Sequence, residues 1–187
     1  MKITPPTFTS FAAHQGRAAF LGVVVRQKAE INARFFRAVL LSFALSGPAQ
    51  ADFVGTVVSV FDGDTIDVLV IRKPLRVRLA KIDAPEKGQP FGTRSRRALA
   101  AAVSGKTVTV RESGVDQYGR ILGTILLEGR NINRMMVEEG WAWAYRQYLK
   151  DRSLLDAEAT ARAGVRGLWI DKKPVAPWVW RRRHRRR

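Results

Sequence analysis

Residues 60–70 read VFDGDTIDVLV, an apolar strand into which three carboxylates, Asp62, Asp64 and Asp67, are set. Ile66, Val68, Leu69 and Val70 give it the composition of a half-buried strand, and Asp62-Gly63 supplies a turn signal just before it. A second stretch, VRLAKIDAPE at 77–86, repeats the oddity: its apolar run ends in Asp83, with Glu86 three residues on. An Asp beside a turn glycine ordinarily bonds local backbone, and a lone DGD would carry no further meaning. Two strand ends that each carry a carboxylate are a different matter. If the strands are neighbours, Asp64 and Asp83 come together, and their repulsion is costly unless a cation neutralises it.

The surrounding pattern places these strands in a barrel. Short strands rich in Val, Ile, Leu and Thr are expected at 53–60, 65–71, 75–83, 106–112 and 121–127, with turns at Asp62-Gly63, Lys73-Pro74, Gly105 and Gly119. A helix is expected over TRSRRALAAAVSG, 93–105, with Thr93 as its cap and Gly105 closing it. Asn131 caps a second helix, whose Ile132, Met135 and Met136 follow the i, i+3, i+4 spacing and which Gly140 terminates. A third spans roughly Arg152 to Ala163, with Leu154, Leu155 and Ala161 on one side. The connections among the first three strands are too short for crossover helices, so the pattern fits a small closed barrel with helices at its base, mainly β with α, better than a parallel sheet. Such a barrel offers one face and its adjoining loops to ligands, often oligonucleotides. Strict alternation puts Arg78 and Asp83 on opposite faces of one strand, so that strand must bulge or end before Asp83.

The whole chain has 187 residues, 46% of them hydrophobic, and a formal net charge of +17. That charge favours polyanions: nucleic acid, acidic membrane or phosphorylated substrates. Much of it is peripheral. Residues 1–51 hold six Lys and Arg against one acid, the last seven residues hold six Arg, and residues 52–180 carry 21 bases against 15 acids. ARFFRAVLLSFALSGPAQAD reads as a targeting segment, with Arg34 and Arg37 before an apolar stretch from Ala38 to Leu45 and an A-x-A arrangement at Ala49 and Ala51. Its apolar stretch is too short to span a bilayer. Cleavage after Ala51 would release Asp52 in a secreted or periplasmic product. Residues 1–33 make an unusually long leader, and translation is expected to begin downstream of Met1. The expected organisation is an N-terminal extension and signal peptide at 1–51, a folded domain at 52–171, and a basic, disordered Trp/Arg-rich tail at 172–187.

Cysteine is absent, which excludes disulfides, a thiolate metal site and a Cys nucleophile. Carboxylate oxygens without Cys or a His cluster favour a hard ion, Ca²⁺ or Mg²⁺, over zinc. Arg78 and Arg120 sit beside apolar strand residues, where each could serve as a salt-bridge partner. Together with two metal-binding carboxylates and a spare glutamate, they also make a full set for phosphodiester hydrolysis. The cations neutralise the non-bridging oxygens, and Glu86 can accept a proton from the attacking water.

At these residues the sequence resembles the staphylococcal-nuclease-like (thermonuclease) family, through DGDT at 62–65, RLAKIDAPE at 78–86, DQYGR at 116–120, NINRMMVEEGWAWAY at 131–145 and GLW at 167–169. The similarity covers about residues 53–170. It implies a five-stranded OB-fold barrel with three helices and Ca²⁺-dependent cleavage of DNA and RNA. By position, it implies that Asp64 and Asp83 are calcium carboxylates and that the backbone carbonyl of Ala84 is a third ligand. It likewise implies phosphate-binding roles for Arg78 and Arg120, a catalytic one for Glu86, a nucleotide-phosphate contact for Tyr118 and a place near the sugar or base for Tyr145. The chain departs from the founding member with Ala84 in place of Thr, Gln117 in place of Lys, and a shortened loop, KGQPFG, after Glu86. None of these removes a catalytic group.

Trp141, Trp143 and Trp169 read as core. Trp178 and Trp180, beside RRRHRRR, read as a flexible cationic-aromatic appendage that adheres to nucleic acid. The expectation is a secreted or periplasmic, monomeric, Ca²⁺-dependent nuclease of low sequence specificity. Its rival is a non-catalytic OB-fold nucleic-acid-binding module, for which three carboxylates facing a polyanion would have no use. A membrane-surface protein rests on charge alone.

Overall fold

The computed structural model describes residues 52–146 and 152–185. The expected targeting segment, 1–51, lies outside them. Among the described residues eight strands form in chain order: β1 (Phe53–Val60), β2 (Thr65–Val70), β3 (Lys73–Leu79), β4 (Ile82–Asp83), β5 (Thr107–Val115), β6 (Ile121–Leu127), β7 (Arg130–Asn131) and β8 (Trp143–Ala144). The α-helices are α1 (Gly92–Val103), α2 (Ile132–Glu138), α3 (Ser153–Ala163) and α4 (Pro177–His184), with a 3₁₀ turn at Gly167–Ile170.

Five strands close a barrel. The antiparallel order β3-β2-β1-β5-β6 curls until β3 meets β6 in parallel, Arg78 opposite Leu122. Closure removes the free edges of an open sheet. The interior is filled by Val57, Ile66, Val68, Val77, Leu79, Val108, Val110 and Ile125, all essentially without solvent exposure. These positions alternate with outward ones along the strands, as a period of two requires. Asn133, buried at the start of α2, staples the closure: its Oδ1 accepts from Ile125 N–H at 3.0 Å and its Nδ2 donates to the carbonyls of Ala80 and Gly123, each at 3.0 Å.

The strand expected at 75–83 is two elements. β3 stops at Leu79, the chain turns with Lys81 at φ 65°, and β4 pairs instead with β8, Asp83 opposite Trp143. That break resolves the conflict of faces, because Asp83 belongs to a new strand with its own phase. Thr93 also differs from expectation. It lies inside α1, which starts from Phe91 in a left-handed conformation at φ 70° with no side-chain cap. Asn131 caps α2 as expected, its side chain accepting from Arg134 N–H, and Gly140 ends that turn at φ +75°.

The largest difference lies at the C-terminus, where a disordered tail was expected. Pro177–His184 is helical, with Pro at the start of the helix where its missing N–H costs nothing. Trp178 packs edge-on against Trp143 with ring centroids 5.6 Å apart, and Trp143 meets Trp169 at 4.5 Å. Trp143 and Trp169 are core, as read from the sequence. They join Ala161, Leu168 and Ala176 in a second apolar cluster, against which Trp178 is half-buried.

Candidate active site

The DGD turn lies between β1 and β2 and is held by packing. A Cβ on Gly63 would stand 1.8 Å from Ser95 Oγ and 2.7 Å from the Ala84 Cβ. Only glycine lets the turn lie against α1, where Ser95 is further fixed by donating to the Trp141 carbonyl at 2.7 Å. Asp62 Oδ1 accepts from Asp64 N–H at 2.9 Å, the local Asx bond expected of a turn aspartate. Burial, with the negative charge of Asp64 adding to it, pushes the Asp62 carboxyl up to about 6.

Asp64 and Asp83 come together. Arg78 Nη2 lies 3.3 Å from Asp64 Oδ2 and 2.9 Å from Asp83 Oδ1, so the two carboxylate oxygens are separated by no more than about twice one ion-pair distance. The phase of β2 and β3 produces this. Thr65 is opposite Arg78, and Leu79 N–H donates to the Asp64 carbonyl at 2.8 Å. Arg78 Nη1 donates to the carbonyls of Leu79 at 2.9 Å and Ile82 at 3.0 Å, so one guanidinium spans the break between β3 and β4. Burial alone would lower the Arg78 pKa, but the charges of Asp64 and then Asp83 outweigh it and hold the guanidinium charged. Asp83 is fully buried, and that burial pushes its carboxyl above the usual range against the pull of Arg181 and Arg78.

Ala84 contributes through its amide, which donates to Asp64 Oδ2 at 2.7 Å. Thr65 Oγ1 donates to Asp64 Oδ1 at 3.1 Å. Glu86 follows on a loop seated against the start of α1. A Cβ on Gly92 would be 1.9 Å from the Glu86 carbonyl, and Glu86 N–H donates to Gln89 Oε1 at 3.2 Å. Gln89, which the sequence did not single out, also donates through Nε2 to the Val175 carbonyl at 2.6 Å and so ties this loop to the C-terminal segment.

Three of the sequence candidates stand with other partners. Arg120, just before β6, gives its Nε and Nη2 to Asp116 Oδ2 at 2.7 and 2.6 Å, and its guanidinium lies 5.4 Å from the Tyr118 ring centroid. Tyr118 is exposed in that same turn, its N–H donating to Asp116 Oδ1 at 2.9 Å. Tyr145 follows β8 with its N–H on the Lys81 carbonyl, its ring 5.7 Å from that of Trp178. It lines a cavity of about 400 Å³ with Trp178, Arg181, Arg182 and Arg185.

Three charged residues were not legible beforehand. Glu158, buried on α3, accepts from Ala144 N–H through Oε2 at 3.2 Å and pairs through Oε1 with Arg162, so α3 fixes the strand against which β4 presents Asp83. Arg162 lies over Trp169 at 3.8 Å and Trp143 at 4.8 Å. Arg181, on α4, reaches the carboxylates themselves. Its Nη2 donates to Asp83 Oδ2 at 2.7 Å, and its Nη1 donates to Asp83 Oδ1 at 3.1 Å and Glu86 Oε1 at 2.6 Å.

Among the described residues no three or more acidic or histidine side chains converge as a ready-made metal site. The Asp64 and Asp83 oxygens nevertheless suit a hard divalent cation, which here would draw its remaining oxygen ligands from backbone carbonyls, water and substrate.

The family model described as staphylococcal nuclease homologue matches residues 76–171, ending before α4. The chain is 49% identical over 159 residues to a micrococcal nuclease of Shigella flexneri, covering 78% of this chain and 91% of that one. It is 47% identical over 156 residues to the protein ParB of Escherichia coli, covering 78% and 88%. It is also 49% identical over 146 residues to an uncharacterized endonuclease of Escherichia coli, covering 77% and 95%.

Proposed function

The chain belongs to the staphylococcal nuclease homologues, and on that premise we propose that it is a Ca²⁺-dependent nuclease acting on both DNA and RNA with low sequence specificity. That it is a nuclease, a phosphodiester hydrolase, follows from the family and the relatives. The finer reading rests on one observation above all: Asp64 and Asp83, far apart in sequence, meet at one guanidinium, with Glu86 linked to the same cluster.

In this reading Asp64 and Asp83 hold a divalent cation, with the Ala84 carbonyl as a further ligand. Such an ion, when bound, supplies positive charge to the phosphate oxygens as negative charge builds on them. Arg78 donates from a buried position to a non-bridging oxygen, where a low dielectric strengthens the bond. Arg120 turns from Asp116 to the phosphate. Glu86 accepts the proton of a water that attacks phosphorus in line, and the bond to the leaving oxygen breaks on the opposite side. Tyr118 and Tyr145 line the path of the nucleotide. In this reading the working form is a monomer. Export with cleavage after Ala51 completes the proposal, and N-terminal sequencing of the exported protein beginning at Asp52 is its check.

The enzymatic test incubates plasmid DNA and RNA with Ca²⁺, Mg²⁺ or EDTA. Digestion of both polymers in Ca²⁺, abolished by EDTA and by Glu86→Gln, is the expected result. Retention of nucleic acid without cleavage would instead support a binding module.

A further inference from the structure

α4 lies beyond the stretch that the family model matches, yet one of its side chains is bonded to two of the three carboxylates of the proposed chemistry, Asp83 and Glu86. Arg181 forks onto Asp83 with one nitrogen on each oxygen, and the nitrogen on Oδ1 also reaches Glu86. With Arg78 already on Asp83 Oδ1, both oxygens of Asp83 are engaged by guanidinium groups. The burial is asymmetric. The Asp83 side chain is 1% exposed and that of Arg181 36%, so the arginine approaches from the solvent side while its partner is fixed in the fold. α4 is held there by Trp178 against Trp143, by the Gln89 bond to Val175 and by the buried Pro177.

A divalent ion coordinated by Asp83 needs lone pairs that Arg181 now uses. A water that gives its proton to Glu86 needs an oxygen that Arg181 now bonds. We infer that Arg181 is an intramolecular cation that competes with the divalent metal for Asp83 and Glu86, so that α4 must lift from the site for the ion to bind. This inference rests on the metal-binding role proposed for Asp64 and Asp83. It extends that role to a segment outside the family match, and it makes the resting protein self-blocked.

The magnitude follows from populations. If the carboxylates are free of Arg181 about one-tenth of the time, the apparent affinity for the ion is about tenfold below its intrinsic value. Removing the competitor recovers that factor.

Titration calorimetry of the full chain with CaCl₂ tests this without reference to activity. Arg181→Gln should bind Ca²⁺ about tenfold tighter than the unaltered protein, and Arg181→Lys, which keeps the charge but loses the fork, should fall between them. Arg182→Gln removes the same charge from the same helix but not from the carboxylates, and should leave the affinity unchanged. In the unaltered protein Ca²⁺ should also speed tryptic cleavage within 181–185, as α4 is released. Equal affinities for the unaltered protein and Arg181→Gln overturn the inference and leave the metal site standing. So does an equal gain from Arg182→Gln, which would reveal only a general field effect. Absence of Ca²⁺ binding in every variant, Arg181→Gln included, overturns the metal reading and this inference with it.

Discussion

Arg78 holds Asp83 at 2.9 Å through one nitrogen while its other terminal nitrogen bonds the carbonyls on both sides of the break between β3 and β4. The residue is therefore both an electrostatic element of the site and the clasp that turns the chain so that Asp83 faces Asp64. A lysine can supply the charge but not the planar fork. Arg78→Lys is expected to lower kcat/KM by about a hundredfold or more, the cost of losing a preorganised donor. It should also destabilise the fold by about 2 kcal/mol, because the Leu79 and Ile82 carbonyls lose partners. Steady-state hydrolysis and denaturant unfolding measure the two effects, and near-normal activity in this variant would remove Arg78 from the mechanism.

Gly63 is required for space, since an added methyl group would collide with Ser95 Oγ and the Ala84 Cβ. Gly63→Ala is expected to cost about 1–3 kcal/mol of stability through overpacking. Combining it with Ser95→Gly should recover part of the loss, because neighbouring substitutions couple. Thermal unfolding of the two single variants and the double variant gives the coupling directly.

The three bonds of Asn133 close the barrel beside the site. Asn133→Ala leaves Ile125 N–H and the Ala80 carbonyl without the Asn133 bond and takes one of two donors from the Gly123 carbonyl, which keeps Ala80 N–H; about 2–3 kcal/mol is the expected cost. Asn133→Asp keeps the acceptor for Ile125 N–H but loses both donors, so it should also destabilise. Equilibrium unfolding that is unchanged in both variants would contradict the role given to this side chain.

Asp116 holds Arg120 in place and has a characteristic pH dependence. Partial burial works to raise its pKa, but the Arg120 side chain and the backbone N–H groups of Arg120 and Tyr118 outweigh it and hold the carboxyl below its ordinary value. A carboxylate lowered in the folded state adds stability that is fully present above the unfolded pKa of about 3.9 and is lost as pH falls through the folded value. The stability difference between the unaltered protein and Asp116→Asn should thus be constant from about pH 5 to 7 and shrink below about pH 4. Urea unfolding at a series of pH values checks it, and a difference that grows on acidification would reverse the assignment.

The sequence displayed the barrel because its strands obey a period of two. Val57, Ile66, Val68, Val77 and Leu79 alternate with outward residues, and the interior they line is buried as expected. Asn131 was legible as a cap because an Asx side chain has one obvious bond to make at a helix start. The break at Ala80-Lys81 was less so. Lys81 takes a positive φ that no glycine announces, and only the conflict of faces between Arg78 and Asp83 hinted at it. Asp64, Asp83, Arg78 and Glu86 were visible as charges in apolar surroundings, and they do cluster. Arg120 was visible for the same reason, but it is bound to Asp116. Arg181 could not be singled out, since in RRRHRRR each arginine looks alike and a basic run reads as solvated chain. Its place is set by Trp178 docking on Trp143 and by carboxylates nearly a hundred residues away, which are tertiary relationships with no local signature.

The proposed function requires Asp64 and Asp83 to share one divalent ion. The most direct measurement is a crystal structure of the protein with Ca²⁺, in which an ion should lie about 2.3–2.6 Å from a carboxylate oxygen of each residue, with Arg181 withdrawn from Asp83. An ion bound elsewhere on the molecule, with both carboxylates still closed on Arg78 and Arg181 at saturating Ca²⁺, would contradict it.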